Sequence, residues 1–185
     1  GNTTPHYTIY LFAGNVLWNY YKESTMGGMS SLVNNADIFT KINIPKYMFV
    51  LSKNVSSLIN FLLNLVVFFV FVATDGIAFQ WRFLMLIYPV ICFVAFNIGM
   101  GLLLSAMYLF FQDTRYLYDV FTLLLMYLSA IFYSIDTFPV KLKIVYHLNP
   151  VYLYIRYFRS IVIDGVIPPV WFHGLAILYA GLMLL

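Results

Sequence analysis

Tyr152, Arg156 and Arg159 stand four and three residues apart, a spacing that brings all three to one face of a helix. Tyr154 and Phe158 form a neighbouring aromatic pair. Rings stack on the apolar faces of sugars, and guanidinium forks match phosphate oxygens. These residues are therefore candidates for contact with a sugar or phosphate group. The same face also suits a belt at a lipid surface, with Arg reaching to the headgroups.

Lys22 and Glu23 sit inside the mostly apolar stretch from Tyr7 to Leu32, one turn after Trp18. An ionisable group at mid-bilayer costs about 2.5 to 3.5 kcal/mol on insertion scales and normally faces a cavity or a partner. Trp18, Lys22 and Glu23 are thus candidates for lining a polar path. Neighbouring residues point about 100° apart on a helix, so the two charges need not pair. The alternative is that they mark the end of the helix, with Gly27-Gly28 as the turn. A third candidate is the segment from Asn34 to Lys53. Asp37 stands in a first helical turn, Ile38, Phe39 and Ile42 form an apolar face, and Lys41, Lys46 and Lys53 add charge. Such a segment lies on lipid or docks in the groove of a partner.

Catalytic constellations are missing from the sequence. His6, His147 and His173 stand far apart, and no metal, thiol-redox or serine-nucleophile motif occurs. No catalytic residue and no metal site is expected, and no cofactor. The phosphate-binding loop of ATPases is also absent from the sequence, so any ATP used must bind a partner subunit. Cys92 is the single cysteine and lies in an apolar run. Asn2-Thr3-Thr4 and Asn54-Val55-Ser56 fit the glycosylation tripeptide, a pattern common by chance.

The elements that must hold these residues are written for a membrane. Of 185 residues, 63% are hydrophobic and only 9% charged, against roughly a quarter charged in soluble domains. The net charge of +3 is spread too thinly to track a nucleic-acid backbone. About 20 apolar residues cross a bilayer core, and this predicts spans over 7–32, 54–73, 83–111 and 116–135. A further stretch, 171–185, is too short to cross and reads as part of a span. The start and end of the chain are those expected of a fragment. Prolines 139 and 150 predict two short helices, 139–147 and 150–163, lying at or dipping into one membrane face. The cation count leaves orientation open. Lys41, Lys46, Lys53 and Arg115 would share one side, against Arg82, Lys141, Lys143, Arg156 and Arg159 on the other. The expected fold class is all-α and polytopic, in one transmembrane domain.

Several motifs taken in order resemble one family. Leu17-Trp18-Asn19-Tyr20-Tyr21, then Asn34-Asn35-Ala36-Asp37-Ile38 and Lys41-Ile42-Asn43-Ile44-Pro45, are similar to a run in the permeases of type-2 ABC exporters for O-antigen, capsule and teichoic acid. Phe111-Gln112-Asp113, Ile131-Phe132-Tyr133, Leu148-Asn149-Pro150 and Tyr157-Phe158-Arg159 follow in the family's order. Gln112 and Ala130 depart from its usual arginine and proline. The resemblance implies six transmembrane helices, of which this chain would hold the second to the fifth and part of the sixth. It further implies a cytoplasmic coupling segment over 34–48, with Asp37, Ile38, Phe39 and Lys41 meeting the ATPase, and external re-entrant gate helices within 139–163. The expected partners are a second permease copy and two ATP-binding cassette subunits in the bacterial plasma membrane. The expected cargo is a lipid-linked polysaccharide or teichoic-acid-like polymer. A permease for a drug or another lipid is the alternative within transport, and a polytopic membrane transferase the alternative outside it.

Overall fold

The computed structural model describes residues 7–185, with the side chain of Phe39 outside the described set. His6 and the Asn2-Thr3-Thr4 tripeptide also fall outside it. Among the described residues every regular element is helical.

The first helix, α1 (Tyr7–Asn34), runs unbroken through Lys22, Glu23 and the Gly27-Gly28 pair. No turn forms at those glycines. At about 1.5 Å per residue it is about 42 Å long, more than the roughly 30 Å of a hydrocarbon core. The chain turns at Asn35 into the short α2 (Ala36–Lys41). It then becomes extended as far as Pro45, and α3 (Tyr47–Thr74) follows. This helix starts earlier than the expected span at Asn54. Pro45 stands just outside it, where a missing N–H is harmless, and the Pro45 carbonyl accepts from Met48 N.

A 3-10 segment, Trp81–Leu86, leads into α4 (Ile87–Phe110). Pro89 accounts for the change of winding. Its ring lacks an N–H and collides with the carbonyl four residues back in an α-helix, so the residues before it wind more tightly. The next helix, α5 (Thr114–Leu128), has 15 residues and stops well short of Ile135. Ala130 has φ of 51°, a left-handed conformation that costs an L-residue about 1–2 kcal/mol. After this break come α6 (Val140–His147), α7 (Pro150–Arg159), a π-turn over Ser160–Asp164, and α8 (Val170–Leu184).

α1 packs between α3 and α4, and α4 packs in turn on α8. Rings fill the seams: Tyr20 stacks on Phe61 of α3 at 4.6 Å, and Phe93 of α4 lies 5.0 Å from Tyr154 of α7. Gly28 and Gly101 let α1 and α4 approach closely, since a Cβ on Gly28 would stand 3.1 Å from the Gly101 Cα. Small residues at crossings are how helices pack where lipid supplies no hydrophobic drive. α3 buries a single stripe, Val50, Asn54, Ser57, Phe61, Leu65, Phe68 and Val72. Its exposed surface is polar at Ser52, Lys53, Ser56 and Asn60, and over residues 62–73 it is apolar but for Asn64, with Leu63 and Val66 each 62% exposed. Two helical stretches, Tyr47–Thr74 and Trp81–Phe110, are long and apolar enough to cross a bilayer on their own, with mean hydropathy 2.4 and 2.2.

The contacts also fix two ends. Thr25 near the end of α1 meets Tyr118 near the start of α5, so these helices are antiparallel. The α2 segment and the Phe111–Thr114 turn therefore share one end of the bundle. The break after α5 lies at the other, where Tyr10 meets Ala130 and Tyr133.

Candidate functional site

α1 carries the first group of candidates. Lys22 is exposed and Glu23 half-buried, and they diverge as adjacent helical residues must. Lys22 lines a cleft of about 340 Å³ with Trp18, Asp119 and Thr122. Glu23 lines a larger one of about 730 Å³ with Lys53, Arg115 and Asp119. Met26 and Asp119 border both, so the two clefts adjoin across the face between α1 and α5. Glu23 Oε1 accepts from Asn60 Nδ2 of α3 at 2.9 Å. Trp18 is buried, its ring 5.4 Å from that of Tyr21. Tyr118 Oη lies 2.7 Å from Thr25 Oγ1 and 3.1 Å from Tyr21 Oη, which pins α5 to α1 beside the clefts.

The second group sits at the α2 end. Asp37 and Lys41 are exposed, Ile38 is 42% exposed, and the next apolar residue, Ile42, is 55% exposed. Asn35 Nδ2 donates to the Ser31 carbonyl at 2.7 Å, and Ile38 N donates to the Asn35 carbonyl at 3.0 Å. α2 is thus tied to the last turn of α1 across a single residue. The side chain of Phe39 belongs to this group by sequence but lies outside the described residues.

At the opposite end, the cationic face expected of Tyr152, Arg156 and Arg159 divides. Three residues advance a helix by about 300°, and α7 is enclosed by protein on nearly all sides, so that offset sends the two arginines different ways. Arg156 is half-buried and ion-pairs with Asp164 at 3.4 Å and Asp136 at 3.8 Å. It lines a cleft of about 420 Å³ with Tyr152, Lys143, His147 and both carboxylates. Two cations and two carboxylates cancel there, which leaves a polar surface with no net charge. Arg159 turns inward and is 2% exposed. Its Nε and Nη2 donate to the Tyr10 carbonyl, Nη1 to that of Ala130, and Nη2 also to that of Ile131, at 2.9 to 3.2 Å. The guanidinium carbon lies 3.5 Å from the centre of the Tyr10 ring. Every guanidinium nitrogen is engaged with protein, so Arg159 presents none to the cleft.

Beside this end, Tyr133 Oη and Tyr146 Oη are 2.9 Å apart.

Sequence reasoning overlooked three contributors. Asp119 is the one acidic residue of α5, and only its place between two clefts gives it meaning. Asn149 precedes the helix start expected at Pro150, and its side chain reaches two elements. Its Oδ1 accepts from Val151 N and Tyr152 N, while its Nδ2 donates to the Leu128 carbonyl and Ser129 Oγ. Gly14 had no distinguishing neighbour in the sequence, and in the fold a Cβ there would collide with Arg159 Nη2.

Comparison with known proteins accords with this layout. The profile of the ABC-2 type transporter family matches residues 8–163. Two curated proteins, each an O-antigen export system permease protein RfbA of Klebsiella pneumoniae, are 27% identical over 96% and 88% of this chain. A Myxococcus xanthus protein of the same name is 24% identical over 72% of it. The chain spans 71%, 63% and 51% of the lengths of these relatives. A family profile that runs from the second residue of α1 to the π-turn after α7 covers both candidate ends and the clefts between them. The chain belongs to the ABC-2 type transporter family of membrane transport permeases.

Proposed function

We propose that the chain is the membrane subunit of an ATP-driven exporter that moves a lipid-linked polysaccharide across the bacterial plasma membrane. The observation that carries this reading is α2. It is a short helix with an exposed apolar and charged surface, fastened by Asn35 to the end of a helix long enough to cross the bilayer. A push on α2 moves α1, and α1 contributes one ionisable residue to each cleft, Glu23 to the larger and Lys22 to the smaller. In this reading two ATP-binding cassette subunits sit beneath two permease copies and press on Asp37, Ile38, Phe39 and Lys41. The α2 end is then cytoplasmic. Orientation has support in the cations: Arg156 and Arg159 belong to the enclosed α7, not to a solvated loop, which weakens the count on the other side.

The substrate path runs past Trp18, Lys22 and Glu23 to Tyr152 and Arg156. Rings stack on sugars without regard to their order, so a polymer can slide past them with no deep binding minimum. The names of the relatives point to O-antigen, and the charge-balanced outer cleft suits neutral sugars better than phosphate. The role of Arg159 on this path is indirect, through the shape of the outer end.

The test is assembly with the motor. Replacing Ile38 and Phe39 with Asp places two charges on the docking surface and is expected to abolish co-purification of the permease with its ATPase while leaving membrane insertion intact. Undiminished co-purification would remove α2 from the coupling role.

A further inference from the structure

An α-helix ends with four carbonyls that lack an intrahelical partner. In hydrocarbon no water is present to take them, and each unpaired group is expensive. α5 ends at Leu128, among apolar residues, and the sequence Ser129-Ala130-Ile131-Phe132-Tyr133-Ser134-Ile135 offers no reason for a stop. Nothing in it is Pro or Gly. Side chains nonetheless take three of the last four carbonyls. Leu125 O accepts from Ser129 Oγ at 2.7 Å, Tyr127 O from Tyr133 Oη at 2.6 Å, and Leu128 O from Asn149 Nδ2 at 3.3 Å. Beyond the helix, Ala130 O and Ile131 O accept from Arg159, while Tyr10 Oη of α1 donates to Ala130 O and Tyr133 O and Tyr7 Oη to Phe132 O.

Two of these donors, Asn149 and Arg159, stand at the two ends of α7. We propose that α7 is the cap of α5: Asn149 and Arg159 are positioning residues that hold residues 129–135 unwound by supplying the hydrogen bonds which further helical turns would otherwise provide. The left-handed Ala130 persists because the arginine fork holds the carbonyls on either side of the next peptide. Gly14 is the third part of the device, since only a residue without a Cβ leaves room for Arg159 Nη2. With the donors removed, the nearest partners for the freed carbonyls are the amides three and four residues ahead, and α5 winds on towards Ile135. The gate end of the protein is then a two-state element, broken or continuous, and α7 selects the broken state.

Amide hydrogen exchange on the full-length permease, assembled with its ATP-binding partner in lipid nanodiscs, reads this directly. Asn149→Asp is the sharpest variant, because Asp keeps the oxygen that caps α7 and replaces the N–H groups offered to α5 with a second acceptor oxygen that repels the Leu128 carbonyl. It is expected to slow exchange across 131–135 at least tenfold while the amides of α7 stay unchanged. Arg159→Met and Gly14→Ala, on different helices, are expected to slow the same peptide, and Arg159→Lys to restore part of the original rate. Unchanged or faster exchange across 131–135 in Asn149→Asp and Gly14→Ala would overturn the proposal. The readout is independent of what is exported, so its failure would leave the transport reading standing.

Discussion

At the residue scale, Arg156 and Arg159 separate two uses of one side-chain type. A guanidinium at the cleft can exchange its carboxylate partners for substrate, whereas one enclosed by main-chain carbonyls cannot. Arg156→Ala is therefore expected to reduce export severalfold with insertion and ATPase assembly unchanged, measured as surface polysaccharide in cells that depend on the variant permease. Export at the original level would return Arg156 to a structural pairing with Asp136 and Asp164. Spacing in the sequence was enough to bring both arginines onto α7, and enough to single out Lys22, Glu23 and Trp18 on α1. It was not enough to separate Arg156 from Arg159. Periodicity reports which residues share a helix face, not how many elements surround the helix. The role of Asn149 was hidden for a related reason: a cap residue is legible from the helix it precedes, while its second partner, Leu128, lies 21 residues earlier in the chain.

At the scale of elements, the apolar runs overlap α1, α3 and α4, because a helix of 24 to 28 residues leaves a long periodic signature, although α3 begins at Tyr47, ahead of its apolar run. The break after Leu128 left none. Residues 129–135 are as apolar as a span requires, and what stops the helix is the side chains of α7, Ser129 and Tyr133. Termination set by tertiary partners is invisible to any local reading. Close helix crossing is a second feature of this scale. Gly28 and Gly101 bring α1 and α4 together where Val50 also crowds in. Gly28→Leu forces the crossing apart and is expected to cost about 1–3 kcal/mol. The check is the thermal unfolding temperature in detergent, against Gly181→Leu, where a Cβ meets nothing within 4 Å.

At the scale of the whole molecule, the surface divides into lipid-facing and water-facing parts. The exposed surface of α3 over residues 62–73 is apolar but for Asn64, whereas the face between α1 and α5 gathers Lys22, Glu23, Lys53, Arg115 and Asp119 around two adjoining clefts. Cys92 is the one cysteine, so Cys92→Ser gives a background for single-cysteine labelling. Cysteines at 22, 23 and 119 are expected to react with a charged, membrane-impermeant maleimide in the reconstituted permease. Cysteines at 63 and 66 are expected to react only with a lipid-soluble reagent. Equal protection at all five positions would mean that water does not reach the clefts.

The early end of α5 bears on the bilayer itself. Fifteen residues cover about 22 Å of a hydrocarbon layer roughly 30 Å thick, so some 8 Å of the layer at the Ala130 end has no straight helix beside this face. Lipid there must thin, or the turns after Leu128 must draw water inward. Either response shortens the distance over which the polar headgroup of a membrane-anchored cargo would be stripped of water on its way out. Thicker bilayers built from longer acyl chains should accordingly slow the transporter, and thinner ones should favour it.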